Sequence, residues 1–209
     1  YCGDGTPWPS FTDRGETYAS STWTTSPAVY PEAHTWMGGC GTKTAAMGMG
    51  GDPTTSLAAK WNDTSWSATP ALNTNVSNNS GAGINTDALC IGSPSAATTV
   101  QSWNDTSWSA SPALNTGRSN SSSNCTSATA SFVCGGAAPA ILDSTEIWDD
   151  SSWSVGATMP GPRTVSSGGG TTSAAITFGG SGPTTAAPFL AAAYELNAGS
   201  TEAFDITTS

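Results

Sequence analysis

Enzyme catalysis usually needs a nucleophile, a base and a group that orients the base, and histidine is the commonest base. The chain contains one histidine, His34, within the segment Pro31–Trp36. We interpret His34 as a surface-loop or packing residue, with a ligand role as the alternative. The sequence therefore predicts no catalytic residues and a protein that is not an enzyme.

The cysteines show neither a C-x-x-C spacing nor a paired histidine, so a zinc site is disfavoured. We expect no metal and no cofactor, and we predict buried free thiols. One or two disulfide bridges are the alternative, and the odd count leaves at least one thiol over. The five cysteines are Cys2, Cys40, Cys90, Cys125 and Cys134.

Acidic residues recur in short turn segments of the chain. Carboxylates together with backbone oxygens hold hard cations such as calcium. No segment has the dense alternation of Asp and Asn that a calcium loop requires, so we predict solvated hairpin tips. The residues concerned are Asp63, Asp105, Asp149 and Asp150.

The composition limits the classes of protein to which the chain can belong. It has 209 residues, 24 Gly, 13 Pro and a charged fraction of 10%. Ordinary globular chains have about 25% charged residues, so helical bundles and coiled coils are excluded. The formal net charge of −10 repels nucleic acid and anionic lipid. We expect no nucleic-acid partner and, since no apolar run is long enough, no membrane insertion.

Nine tryptophans need a regular structure that buries them. A short segment with an aromatic residue at each end recurs about every 43 residues, which is a typical length for a structural repeat. Asn and Asp between the aromatics tolerate the left-handed backbone of tight turns, so each segment predicts a β-hairpin. The copies are Tyr18–Trp23, Trp61–Trp66, Trp103–Trp108 and Trp148–Trp153.

Each repeat also carries a Gly-rich segment, a pair of small residues and an apolar residue after the aromatic segment. The small pairs are Gly50-Gly51, Gly92-Ser93, Gly135-Gly136 and Gly179-Gly180. The apolar residues are Val29, Leu72, Leu114 and Met159. Short runs of Thr, Val, Ala and aromatic residues between such turn signals are typical of strands. Four short strands per repeat predict a β-propeller blade.

The last full repeat resembles the kelch repeat. The residues that carry the resemblance are Gly135-Gly136, Trp148, Trp153, Met159 and Arg163. Arg118 lies at the same offset from Leu114, whereas Ala33 and Val76 stand there in the other two complete repeats. The chain is also similar to the kelch-like arrays, rich in Ser, Thr, Ala and Gly, of structural proteins of aquatic tailed phages. The resemblance implies a propeller fold and a virion component.

We expect one domain, residues 1–209, folded as an all-β propeller of kelch-like repeats with five blades of about 43 residues. The count assumes that two incomplete segments both contribute to closure of the ring. They are Cys2-Gly3, the end of a truncated strand, and Glu202–Ser209, an incomplete aromatic segment. A fragment of a six- or seven-bladed ring is the alternative. Residues 181–200 lengthen the last repeat and predict an insertion loop.

Trp66, Trp108 and Trp153 recur in strict phase, so we predict that they pack between blades rather than stack on sugars. Aromatic residues outside the repeat register are the better candidates for contact with a ligand. They are Trp8, Trp36, Phe189 and Tyr194.

Low charge, a Ser/Thr-rich exterior and a rigid ring that presents loops favour binding and assembly over catalysis. We expect a non-enzymatic structural or adhesive protein of a virion, such as a tail fibre or decoration protein. Its partners would be other virion proteins or a host-surface glycan. It would be located in the virion or outside the cell, and it could form a homo-oligomer. The alternatives are a secreted glycan-binding or glycan-acting protein and a scaffold ring in a cellular assembly.

Overall fold

Every regular element in the described part of the chain is a β-strand. The computed structural model describes residues 13–19, 21–95, 97–123, 127–183, 193–197 and 204–206. Within these ranges no helix is long and apolar enough to cross a membrane. The expectation of an all-β fold is confirmed.

The first two strands form a sheet of their own. They are β1 (Arg14–Ala19) and β2 (Thr22–Val29), which pair antiparallel with Tyr18 opposite Trp23. Ser21 closes the turn between them in a left-handed conformation, with φ 67°.

Four antiparallel sheets of four strands follow along the chain. The first contains β3 (Gly38–Thr42), β4 (Ala45–Met49), β5 (Ala58–Trp61) and β6 (Trp66–Ala68). The second contains β7 (Ser80–Ile84), β8 (Asp87–Ile91), β9 (Val100–Trp103) and β10 (Trp108–Ser111). The third contains β11 (Ser122–Ser123), β12 (Ser131–Cys134), β13 (Thr145–Trp148) and β14 (Trp153–Val155). The fourth contains β15 (Ser167–Thr171), β16 (Ala174–Phe178), β17 (Ala193–Asn197) and β18 (Phe204–Ile206).

Within each of these sheets, strands that are neighbours in sequence are neighbours in space. The first strands lie innermost: β3 contacts β7, β7 contacts β11, and β11 contacts β15. Small up-and-down sheets arranged in this way around a centre are the blades of a β-propeller. The fold is therefore a propeller of four blades, preceded by the β1–β2 sheet.

The expectation of five blades is wrong, because the C-terminal strands are used within the fourth blade. β17 pairs with β16, and β18 pairs with β17, so neither strand completes a sheet with β1–β2. The first repeat contributes only two strands to the described structure, and Cys2-Gly3 lies outside the described residues.

The third strand of the fourth blade lies inside the segment predicted as an insertion. In β17, Tyr194 is opposite Thr177, just as Glu146 is opposite Val133 in the third blade. Thr177 and Val133 each precede a Gly-Gly pair by two residues, so Tyr194 occupies the position of Glu146. The interpretation of Glu202–Ser209 as the equivalent of the segment that contains β13 is wrong, since residues 204–206 form the outer strand β18. Residues 184–192 lie outside the described part.

In the first, second and fourth blades a tight turn joins the first two strands, and glycine is required in it. Gly41, Gly83 and Gly170 have φ of 109°, 104° and 120°, which side chains rarely adopt. A Cβ at any of the three would also collide with the carbonyl oxygen four residues later. This explains the Gly-rich segment in these repeats.

The forward face of a blade is the one directed towards the following blade, and the rear face is directed towards the preceding one. Two alternate residues of the second strand form the core of the forward face, and in the second and third blades the aromatic pair forms that of the rear face. The buried contacts join Met47 and Met49 to Trp103 and Trp108, Leu89 and Ile91 to Trp148 and Trp153, and Phe132 and Cys134 to Ala175 and Tyr194. The predicted packing of Trp108 and Trp153 between blades is confirmed.

The apolar residue after each aromatic segment follows the expected pattern in three repeats. Leu72, Leu114 and Met159 are buried, but Val29 is 50% exposed. Tyr30 is buried in its place, because its N–H donates to the Asp13 carbonyl at 2.7 Å and its ring lies edge-on to Trp66 at 5.1 Å.

A buried ion pair joins the second blade to the third. Arg118, which follows β10, places Nη2 2.8 Å from Oε1 of Glu146, and both side chains are almost fully buried. Arg118 Nη1 donates to the Gly135 carbonyl, and the Glu146 carboxylate accepts from the backbone N–H of Asn115 and Thr116. These bonds offset the cost of removing both charges from water.

Candidate functional site

A cavity of about 730 Å³ opens at the centre of the propeller. The inner strands form most of its wall, through residues such as Gly39, Gly81, Ser122 and Ser167. A Cβ on Gly81 would lie 2.8 Å from the Gly39 carbonyl oxygen, so β3 and β7 can approach only because glycine stands there. Small residues at the inner edges of the blades thus leave room at the axis.

Serine hydroxyls tie neighbouring blades together along this wall. Ser80 Oγ donates to the Ser121 carbonyl at 2.7 Å, and Ser123 Oγ donates to the Gly81 carbonyl at 2.7 Å. The hydroxyls of Ser122 and Ser166 lie 2.7 Å apart. The wall along the inner strands therefore contains polar groups and carries no charge, and apolar residues such as Met47 line the cavity beside them.

A chain of backbone hydrogen bonds runs beside the cavity from blade to blade. The Asn78 N–H donates to the Trp36 carbonyl at 2.9 Å, Asn120 to Asn78 at 2.8 Å, and Val165 to Asn120 at 2.9 Å. All four residues are left-handed, with φ between 50° and 55°. Each immediately precedes a residue that lines the cavity, so this chain sets the spacing of the inner strands.

The β1–β2 sheet forms the remaining side of the cavity and differs from the serine wall. Arg14, Glu16 and Trp23 are exposed there, whereas Tyr30 is buried. Burial raises the pKa of the Tyr30 phenol above its ordinary value, so the phenol stays neutral. Among the described residues, the carboxylates and the guanidinium that line the cavity therefore all lie on this side.

His34 lies at the edge of the cavity and is buried. Its Nε2 is 3.3 Å from Oε2 of Glu32, and its Cβ sits close above Gly51. These contacts support the packing role that the sequence predicts. Among the described residues no group of three or more His, Cys, Asp or Glu could hold a metal ion.

The acidic turn residues are hairpin tips, as predicted. Asp63, Asp105 and Asp150 have φ of 77°, 72° and 75°. Asp149 accepts hydrogen bonds from the Ser151 hydroxyl and from the N–H groups of Ser151 and Ser152. These bonds hold the pKa of the Asp149 carboxyl below its ordinary value. Asn62 and Asn104 make the same turn bonds in other repeats.

Three of the five cysteines lie in the described part of the chain. Cys90 and Cys134 are buried free thiols, which confirms the prediction for these two, and Cys40 is buried as well. Burial raises the pKa of the Cys90 thiol to about 12 and that of Cys134 to about 11. Cys2 and Cys125 lie outside the described residues.

The aromatic residues proposed for ligand contact do not form one cluster. Trp36 is 56% exposed and lies between His34 and Met37, which both line the cavity. Tyr194 is half-buried on the rear face of the fourth blade, with the Arg163 guanidinium 3.8 Å above its ring. Trp8 and Phe189 lie outside the described residues.

The serine wall was missed by the sequence analysis. Its signal is a pair of small residues at the start of the first strand in each repeat, where the inner strands converge. The pairs are Gly38-Gly39, Ser80-Gly81, Ser122-Ser123 and Ser167-Gly168.

Comparison with known proteins identified no similar protein. No protein-family model matches the chain, and a search of curated proteins finds no similar sequence.

Proposed function

We propose that the protein is a non-enzymatic structural or adhesive component of a virion that contacts a host-surface glycan. The glycan would bind at the central cavity, with Trp36 at its edge. Other virion proteins would be the partners in the particle, as in a tail fibre or decoration protein.

The serine-lined cavity is the observation that carries this proposal. Sugars present hydroxyl groups, which exchange hydrogen bonds with serine hydroxyls and backbone groups without any need for charge. The inner strands of three blades place serines on the cavity wall, at Ser80, Ser122 and Ser167; Ser167 is exposed, whereas the other two already bond the neighbouring blade. The space of about 730 Å³ falls within the range of roughly 300–1,000 Å³ that small-ligand sites occupy.

Trp36 adds an apolar surface beside these polar groups. Its indole ring is exposed next to cavity-lining residues, and aromatic rings with one wet and one apolar side are enriched at recognition sites.

The assignment to a virion rests on the sequence resemblance. The repeat that ends at Arg163 is similar to the kelch repeat, and the Ser/Thr/Gly-rich array is similar to those of aquatic phage structural proteins. Kelch-like repeats and a propeller fold are compatible, since four short strands per repeat form one blade.

Binding to an array of bacterial surface oligosaccharides tests the glycan part. We expect the wild type to bind and Trp36→Asn to lose at least about tenfold in affinity, or 1.4 kcal/mol. Asn78 and Asn120 hold the same left-handed conformation in the next two repeats, so this substitution keeps the backbone.

Val155→Ser is the matched control, because Val155 is 78% exposed on β14 and does not line the cavity. It should bind like the wild type. Equal binding by Trp36→Asn and the wild type would contradict the role of Trp36, and no binding by the wild type would contradict glycan recognition.

Mass spectrometry of gradient-banded phage particles tests the virion part. We expect peptides of this chain at a constant ratio to the major capsid protein. Peptides confined to the soluble or secreted fraction would instead favour a secreted glycan-binding protein.

A further inference from the structure

The β1–β2 sheet exposes an aromatic pair that other repeats bury. Tyr18 and Trp23 are 53% and 60% exposed, and their ring centroids lie 5.2 Å apart. The pairs in the second and third blades have almost the same geometry, at 5.4 Å and 5.3 Å, but are covered by the preceding blade. The exposed pair is thus a rear face with nothing packed on it in the described structure.

The fourth blade exposes the matching forward face. Ile176 and Phe178 are 38% and 49% exposed, whereas Phe132 and Cys134 at the same positions of the third blade are buried. Ile176 is paired with Glu195 across the sheet, and Glu195 is exposed as well. Solvent therefore reaches the whole central part of this face.

Two interfaces within the chain show what covers each of these faces. Forward-face pairs such as Leu89 and Ile91 bury the aromatic pair of the next blade. Ile176 and Phe178 stand at the positions of such a forward-face pair and are apolar as well. Tyr18 and Trp23 stand at the positions of the aromatic pair that a forward face covers. The two ends of the molecule are therefore complementary to each other.

The two end faces do not cover each other within one molecule. In the described residues neither β1 nor β2 packs closely on a strand of the fourth blade, and the central cavity extends between them. As far as the described residues extend, both faces are consequently open to another molecule.

We propose that the forward face of the fourth blade binds the rear face of the β1–β2 sheet of a second copy of this chain. This contact joins different surfaces of the two copies, so copies associate head to tail. Two copies that each use both of their end faces form a closed ring. Where the rotation from one copy to the next does not close a ring, association continues into a longer filament. Aromatic side chains, which each bury about 150–250 Å², supply most of the contact.

Sedimentation velocity over a concentration series tests the proposal on the full chain. We expect the wild type to associate as its concentration rises. Trp23→Asp and Phe178→Asp each place a charge on one of the two faces, so each variant alone should stay monomeric. Val155→Asp, at an exposed position on neither end face, is the control and should associate like the wild type.

An equimolar mixture of Trp23→Asp and Phe178→Asp distinguishes the proposed contact from others. The first variant keeps an intact forward face and the second an intact rear face, so the mixture should restore a dimer with one interface. Circular dichroism and thermal unfolding of each variant establish that it is folded.

Three results would overturn the proposal. A wild type that is monomeric at every concentration would exclude the contact between copies. Variants that still associate would exclude these two faces. A mixture that stays monomeric, with both variants folded, would exclude the head-to-tail arrangement.

Discussion

At the scale of single residues, the buried pair Arg118–Glu146 is the most demanding polar feature of the fold. Glu146→Gln leaves the Arg118 guanidinium without its carboxylate, and we expect a loss of about 3 kcal/mol in the free energy of unfolding. Chemical denaturation measures this difference.

The exposed pair Lys60–Asp105 is the control for that substitution. Its atoms are also close, at 2.9 Å, but both side chains are more than a third exposed. Asp105→Asn should change the free energy of unfolding by less than about 1 kcal/mol. Equal effects of the two substitutions would contradict the importance of burial.

Val165 is the one β-branched residue in the left-handed hydrogen-bonded chain, with φ 55°. Its side chain is exposed, so Val165→Asn removes strain without loss of packing. We expect a gain of about 1 kcal/mol in the free energy of unfolding. The reciprocal Asn120→Val, at φ 53°, should lose a similar amount, and a destabilised Val165→Asn would contradict the strain.

Cys90 links burial to pH dependence. Its pKa of about 12 in the fold lies above the value of about 8.5 for an exposed thiol. Between these pH values the unfolded chain has lost a proton that the folded chain retains, so stability should fall as the pH rises through this window. Cys90→Ala should remove this part of the decline in alkaline unfolding curves.

The same burial makes the thiol unreactive at neutral pH. Alkylation requires the thiolate, so Cys90 should react with iodoacetamide only as fast as the protein unfolds. Peptide mass spectrometry measures the rate, and rapid labelling of the folded protein would contradict the buried position.

At the scale of elements, the aromatic pair is what joins one blade to the next. Trp108 is buried against the first blade, and we expect Trp108→Ala to cost about 3–5 kcal/mol. Trp36→Asn, which changes an exposed ring, should cost less than about 1 kcal/mol. A loss below about 0.5 kcal/mol for Trp108→Ala would contradict its role in the interface.

The elements of the middle repeats could be predicted from sequence because their turn residues and aromatics recur in phase. The hairpin Trp103–Trp108 has its left-handed Asp105 where the pattern requires it. The fourth blade lacks that pattern: Leu196 stands at the register position of Trp148, and the pairing of β17 is set by the sheet. For this reason the sequence, which aligns Glu202 with Glu146, misplaced the strand by eight residues, since Tyr194 holds that position.

At the scale of the whole molecule, the blades differ in how many neighbours cover them. The second and third blades are covered on both faces, whereas the fourth blade and the β1–β2 sheet each expose one. Repeat structures derive much of their stability from such interfaces. We expect amide hydrogen exchange to be slowest in β8 and β12 and faster in β1, β2 and β16.

Hydrogen exchange followed by mass spectrometry measures this gradient at low protein concentration, where the ends are free. Uniform protection from β1 to β16 would contradict it. The comparison is internal, since β8, β12 and β16 are all the second strands of their blades and are paired on both sides.

The sequence by itself determined the all-β class, the repeat, the hairpin tips and the burial of Trp108 and Trp153, because these depend on local spacing and turn chemistry. Only the tertiary structure decided the number of blades, the serine-lined cavity and the exposure of Tyr18 and Trp23. These depend on which strands pair and which faces meet. Tyr18–Trp23 and Trp103–Trp108 are similar hairpins in sequence, and only the presence of a covering blade distinguishes them.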